Sequence, residues 1–218
     1  MYLLHAPKGG KPEIEIVFIH GLQVSDFGNA YWETWTTVDE NGERHCWPMT
    51  WLVEEIPQAR ILSLSYDSSA LRTRTQGRMD SYIVGESLLT EMVDFAAIGQ
   101  SGCPLLFVCH SLGGIVIKEV VKMAAIQRRT DGKNQKFLNS IIGFHFYSTP
   151  HDGSRLADLA SSIPFLKRGP LVKILELVND DLGRLNKEFK SIAKSDFGDK
   201  WKYSVVAEKC ATTCVSIQ

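Results

Sequence analysis

Apolar residues along this chain gather in short dense runs, separated by stretches with helical spacing. Ile14 to Ile19 is β-branched and continuous, which predicts a buried strand. Thr50 precedes Trp51 to Ile56 as an N-cap precedes a short helix, and Pro57 stops it. Arg60 to Tyr66 reads as a second buried strand. From Asp80 to Ile98 apolar residues recur at helical intervals (Ile83, Leu88, Met92, Phe95), and Gly99 ends the pattern. Leu105 to Val108 predicts a strand, and Ile115 to Ile126 a helix apolar around most of its girth, suited to deep packing. Gln127 to Lys136 is polar and basic and reads as a surface loop. Ile141 to Tyr147 predicts a strand, Leu171 to Val178 and Leu182 to Ala193 helices, and Tyr203 to Ala207 a last short strand. Strands alternating with helices predict an α/β fold, a mostly parallel sheet with helices on both faces. Such a sheet carries its chemistry at the carboxyl ends of the strands.

The run Leu105-Leu106-Phe107-Val108-Cys109-His110-Ser111-Leu112-Gly113-Gly114 ends an apolar strand in a small-residue turn before a helix. A serine on such a turn presents its hydroxyl as a nucleophile in the manner of an α/β-hydrolase. The blander role for Ser111 is capping the helix that follows. Cys109 stands where the G-x-S-x-G pattern has its first glycine. It is small enough to keep the turn, and reads as a packing thiol. His20-Gly21-Leu22 closes the early strand, where this fold draws one oxyanion donor from the loop and the other from the residue after the nucleophile. That assigns the backbone amides of Leu22 and Leu112 to the oxyanion hole, with His20 in a structural role. Glu208 follows the last strand, where the triad acid belongs. An exposed strand-end glutamate is the equal alternative. The third motif, Tyr147-Ser148-Thr149-Pro150-His151-Asp152-Gly153-Ser154, contains the last histidine of the sequence. Chain order in this fold is Ser, acid, His, so His151 precedes the acid, and the catalytic base is unassigned.

Length bounds the rest: 218 residues make one domain with a sizeable core. Within it, residues 1–12 read as a lead-in, 152–195 as a candidate cap and 209–218 as an atypical tail. A formal net charge of −1 gives no electrostatic case for nucleic acid. Five cysteines at irregular spacing argue against a disulfide framework and for a reducing compartment. Cys210-x-x-x-Cys214 lacks the partners of a zinc site, so neither metal nor other cofactor is expected. The first residues lack the apolar core of a secretory signal, and no run reaches the ~20 residues that span a bilayer. Any membrane contact is then peripheral or supplied by a segment outside this sequence. Trp32, Trp35, Trp47 and Trp51 crowd one early segment and read as core and lid packing. Arg72, Arg74 and Arg78 read as a solvated loop, with a lipid phosphate contact as the alternative.

The ordered set His20-Gly21-Leu22, Trp47-Pro48-x-x-Trp51-Leu52, Arg60 to Asp67, His110 to Gly114 and Tyr147 to Ser154 resembles the serine-active-site-containing lipase-like family of α/β-hydrolases. The resemblance runs from about residue 13 to 208. It implies a serine hydrolase of lipase type acting on a lipid or other acyl ester without a cofactor. It further implies phospholipid remodelling, phosphatidylglycerol above all, intracellular cholesterol handling, and residence at mitochondria and the endoplasmic reticulum. Members of that family continue beyond the glutamate that Glu208 matches with a further strand and a histidine. Residues 209–218 do not resemble that ending, so the expectation is an α/β-hydrolase without its final strand. Two functions stay open: a serine esterase or lipase, and a catalytically impaired module that binds lipid or regulates. Oligomeric state is not legible in the sequence.

Overall fold

The computed structural model describes residues 1–21, 29–66, 81–151, 182–197 and 200–206. In chain order these form β1 (Tyr2–His5), β2 (Ile14–Ile19), α1 (Ala30–Glu33), β3 (Thr36–Val38), β4 (Arg44–Cys46), α2 (Trp51–Glu55), β5 (Ala59–Leu64) and α3 (Ser81–Thr90). There follow β6 (Leu105–His110), α4 (Gly113–Gln127), α5 (Gly132–Ser140), β7 (Ile141–Tyr147), a helix α6 over 182–192, and β8 (Lys202–Val206). One sheet runs β1-β5-β2-β6-β7-β8. From β5 to β8 all neighbours are parallel, and β1 joins the edge antiparallel. β2 and β6 are central because both their faces are apolar, the pattern that a parallel strand covered on two sides requires.

The two faces are covered differently. On one, Val17, Leu64, Phe107 and Phe144 meet the apolar sides of α3, α4, α5 and α6. On the other, Ile16, Phe18, Ile61 and Val108 lie under α1, α2 and the β3–β4 hairpin, whose tryptophans do most of the covering. Trp35 and Trp47 both stand edge-on to Phe18, at 4.9 and 5.2 Å between ring centroids. Large aromatic rings there substitute for the area a longer helix would bury. Trp51 is outside this core, 52% exposed, near His45.

Some boundaries differ from the sequence expectation. Within the segment read as a loop, Gln127 to Lys136, residues 128–131 form a turn, while Gln127 ends α4 and residues 132–136 begin α5. Asp131 caps α5 by accepting from the Lys133 N–H at 2.8 Å, and Phe137 and Leu138 anchor it to the core. Two buried apolar residues and one cap outweigh a polar composition. The helix ending at Gly99 changes pitch at Glu91–Phe95 into a wide π turn. That turn keeps Met92 and Val93 buried but swings Phe95 out of the apolar stripe, leaving it 79% exposed. Residues 2–5, within the lead-in, add β1 to the sheet. The predicted helix 171–178, the arginines at 72, 74 and 78, and residues 152–181 of the candidate cap lie outside the described residues. No helix among the described residues is long and apolar enough to cross a membrane.

The amino end of the sheet is pinned by a buried carboxylate. Glu15 is fully buried; its Oε1 accepts from Arg60 Nη1 at 2.8 Å and its Oε2 from the Gly99 N–H at 2.7 Å. Arg60 Nη2 also donates to the Ala96 carbonyl at 2.8 Å. One charge pair thus ties β2, β5 and the turn after α3. Replacing Glu15 by Ala strands the guanidinium and the amide without an acceptor. We expect a loss of about 3 kcal/mol in unfolding free energy, the low end for breaking a buried pair because Arg60 is partly exposed. Urea unfolding measures this, and a loss under about 1 kcal/mol at unchanged m-value would show that the pair does not pin the sheet.

Candidate functional site

At the carboxyl end of β6 the chain reverses within two residues. Ser111 takes φ +50°, a left-handed conformation that a residue with a Cβ adopts only under constraint. Its N–H donates to the Tyr147 carbonyl at 2.8 Å, and Gly114 N–H donates back to the Ser111 carbonyl at 3.2 Å. α4 begins after Leu112, and no side chain caps it. Ser111 therefore sits on a strand–turn–helix bend and does not occupy the extended position of an N-cap. It is 7% exposed. The first turn of α4 lies against it, bringing the positive end of a 15-residue helix to the serine.

Close backbone approach locks the bend. A Cβ on Gly113 would stand 2.6 Å from the His20 carbonyl oxygen, so only glycine lets α4 start against the end of β2. A Cβ on Gly21 would stand 2.7 Å from the Ser111 Cβ. The turn after His20 and the serine are thus in contact. Leu112, 2% exposed, follows the serine directly. Leu22 and Glu208 lie outside the described residues; β8 is described to Val206, two positions before Glu208.

The histidines are mostly committed elsewhere. His20 is fully buried and stacks on Tyr66 at 4.6 Å. Its Nδ1–H donates to the Gly21 carbonyl at 2.8 Å, and its Nε2 accepts the Tyr66 N–H at 3.3 Å. Tyr66 Oη returns a bond to the His20 carbonyl at 3.0 Å. Both ring nitrogens are used only if the ring is neutral. Burial accordingly pushes its pKa below the ordinary imidazole value, with the nearby His110 adding to this. His20 shapes the turn at Gly21 that meets Ser111. His110 precedes the serine and faces Trp35 on the other side of the sheet. His151 is gripped by Lys118, whose Nζ lies 2.8 Å from its Nδ1. The Cys109 thiol is buried in the core, and burial raises its pKa, consistent with packing. Among the described residues no group of three or more His, Cys, Asp or Glu is placed to hold a metal ion.

Sequence reasoning missed Lys118, a lysine 2% exposed within α4. The signal was present: a cation inside a helix apolar on nearly every side must find buried partners.

Residues 12–176 match the family model described as Putative serine esterase (DUF676). Protein SERAC1 of Mus musculus is 30% identical over 210 residues, covering 89% of this chain and 31% of the relative. Protein SERAC1 of Homo sapiens matches with the same identity and coverage. The chain spans about a third of the length of these curated relatives. The solved Bacillus licheniformis lipase BlEst2 in mature form is 23% identical, covering 91% of this chain and 66% of its own, at a TM-score of 0.36.

Two measurements test this geometry. Gly113→Ala drives a methyl into the β2 carbonyls and should cost about 3 kcal/mol, the upper range for overpacking, because the obstacle is backbone. A thermal transition close to that of the unaltered chain would disprove the close approach. His20 and His145 both have pKa values lowered by burial. The unfolded chain therefore binds more protons than the folded one in the window just below the ordinary imidazole pKa. Stability should fall as pH drops from about 7.5 to 5.5, and His20→Gln should flatten that slope in urea titrations.

Proposed function

The chain belongs to the family described as Putative serine esterase (DUF676), and from that premise we propose that Ser111 is the nucleophile of an acyl-ester hydrolase built on the α/β-hydrolase fold. The observation that carries the proposal is the left-handed φ of Ser111 at the carboxyl end of β6, in contact with the turn after His20. Strain of this kind survives only where the surroundings over-determine it, and a serine held so at a strand–turn–helix bend is what a nucleophile requires.

In this reading Ser111 Oγ adds to the ester carbonyl carbon. The carbonyl oxygen becomes an oxyanion held by the Leu112 and Leu22 amides, and the start of α4 adds its dipole. The alkoxide leaves, an acyl-enzyme forms, and water releases it. Glu208 orients the base that takes the serine proton. The finer reading is a phospholipid substrate, with contact at a membrane surface. It is what the resemblance of the ordered motifs from His20 to Ser154 implies.

A second reading, a lipid-binding or regulatory module, is favoured by one specific observation. His20 has both nitrogens engaged, and His151 gives Nδ1 to Lys118. Without a base, an oxyanion hole and binding alone leave roughly 10³–10⁴-fold acceleration over water.

One experiment separates the two. The full chain is treated with a fluorophosphonate probe and assayed on p-nitrophenyl esters and on phosphatidylglycerol vesicles, beside Ser111→Ala. An esterase gives labelling at Ser111 and hydrolysis that falls at least about 10³-fold in the variant. Absence of labelling, with vesicle binding intact in both chains, establishes the module. Hydrolysis of the small ester but not of the vesicles removes the phospholipid reading alone.

A further inference from the structure

Lys118 lies in the second turn of α4, and its ammonium is among the few charges buried in the core. A buried ammonium needs acceptors for its protons. Nζ donates to His151 Nδ1 at 2.8 Å and to Asn186 Oδ1, on α6, at 2.6 Å. The rings of Phe146 and Phe189 lie 5.4 and 5.9 Å from it. With its oxygen held by the lysine, the Asn186 amide turns its Nδ2 toward the His151 carbonyl and donates to it. His151 is thus held through its ring by Lys118 and through its backbone by Asn186. Burial lowers the lysine pKa to about 8; Cys109 of β6 opposes this and Lys190 of α6 adds to it. Beside it, Lys122 bridges Glu119 at 2.7 Å and Glu188 of α6 at 3.5 Å, a second tie between the same helices.

What this clamp holds is the segment from Tyr147 to His151. The Tyr147 carbonyl accepts the Ser111 N–H. Ser148, itself at φ +48°, donates its N–H to the Val206 carbonyl at 2.8 Å, at the described end of β8. Thr149 fills the space beside Gly114, where a Cβ would stand 2.9 Å from its own Cβ. Five residues therefore touch the nucleophile bend, the first turn of α4 and the strand that leads to Glu208. Their near end is fixed by β7. Their far end is fixed by Lys118 and Asn186.

We propose that Lys118 is a positioning residue: from α4 it clamps the far end of segment 147–151, and through that segment it sets the nucleophile bend relative to the strand end before Glu208. The catalytic part of this proposal rests on the reading of Ser111 as nucleophile; the clamp itself does not.

The test uses the full chain with Lys118→Met, His151→Leu and His151→Asn. Asparagine keeps an acceptor where Nδ1 stands, whereas leucine removes it. Amide hydrogen exchange is read at Ser111 and Ser148. The reference is Glu15, whose N–H bonds to Pro104 O at 2.8 Å at the opposite end of the sheet. Lys118→Met and His151→Leu should raise exchange at Ser111 and Ser148 by at least about tenfold with Glu15 unchanged, and His151→Asn should stay near the unaltered chain. Fluorophosphonate labelling should slow by at least about tenfold in the first two variants and recover in the third. The histidine pair carries the test if Lys118→Met does not fold. Unchanged protection in folded Lys118→Met or in His151→Leu, or equal losses in His151→Leu and His151→Asn, overturns the clamp. If the unaltered chain resists labelling while its amides respond as described, the nucleophile reading falls and the clamp stands.

Discussion

A serine with φ +50° at the end of a central strand is the feature on which the rest of this structure converges. Left-handed backbone costs free energy in any residue with a Cβ, so it must be held in place by neighbours that have no alternative position. Here the neighbours are main-chain atoms. The His20 carbonyl lies where a Gly113 Cβ would be, and the Tyr147 carbonyl takes the Ser111 N–H. Backbone that is itself in a parallel sheet cannot relax away from these contacts without breaking ladder bonds. The order β5-β2-β6-β7 places those two carbonyls on either side of β6. The sheet order and the bend are therefore one constraint seen twice.

The same sheet is held at its other end by a different device. At the amino end, Glu15 collects donors from β5 and from the turn after α3, so charge pairing does the fixing. At the carboxyl end, fixing falls to close-packed glycines and to the grip of Lys118 and Asn186 on His151. The division has a physical logic. A full carboxylate beside the serine would oppose the negative charge that develops on an oxyanion, whereas glycine contacts and a cation do not. Neutral His20, held neutral by two hydrogen bonds and by burial, fits the same requirement at the turn after β2.

Much of this was legible in the residues. Continuous apolar runs named β2, β6 and β7 because strands covered on both faces have no polar side to disguise them. The bend was legible because small residues directly after an apolar strand have few other uses. What stayed hidden depended on partners distant in sequence. α5 has a polar composition, and only its packing through Phe137 and Leu138 makes it a helix. β1 reads as a lead-in because a four-residue edge strand, half exposed, lacks a pattern of its own. Lys118 was read as one more position of an apolar helix, since its acceptors, His151 and Asn186, stand 33 and 68 residues away.

The histidine question follows from strand geometry more than from counting. Alternation along β6 sends the Cys109 side chain to the α4 face and the His110 ring to the Trp35 face. A general base must reach the serine oxygen through one ring nitrogen while the other is held by an acid. His20 fails on both nitrogens, and His151 has already given Nδ1 to a lysine, a donor where the triad requires an acceptor. The bend at Ser111 and its contact with the turn after His20 therefore stand without either ring serving as a base. They depend on backbone, glycines and one buried cation. A bend assembled in that order keeps its shape whether or not a base stands beside it. That independence is why labelling of Ser111 and the integrity of the bend can be measured apart from each other.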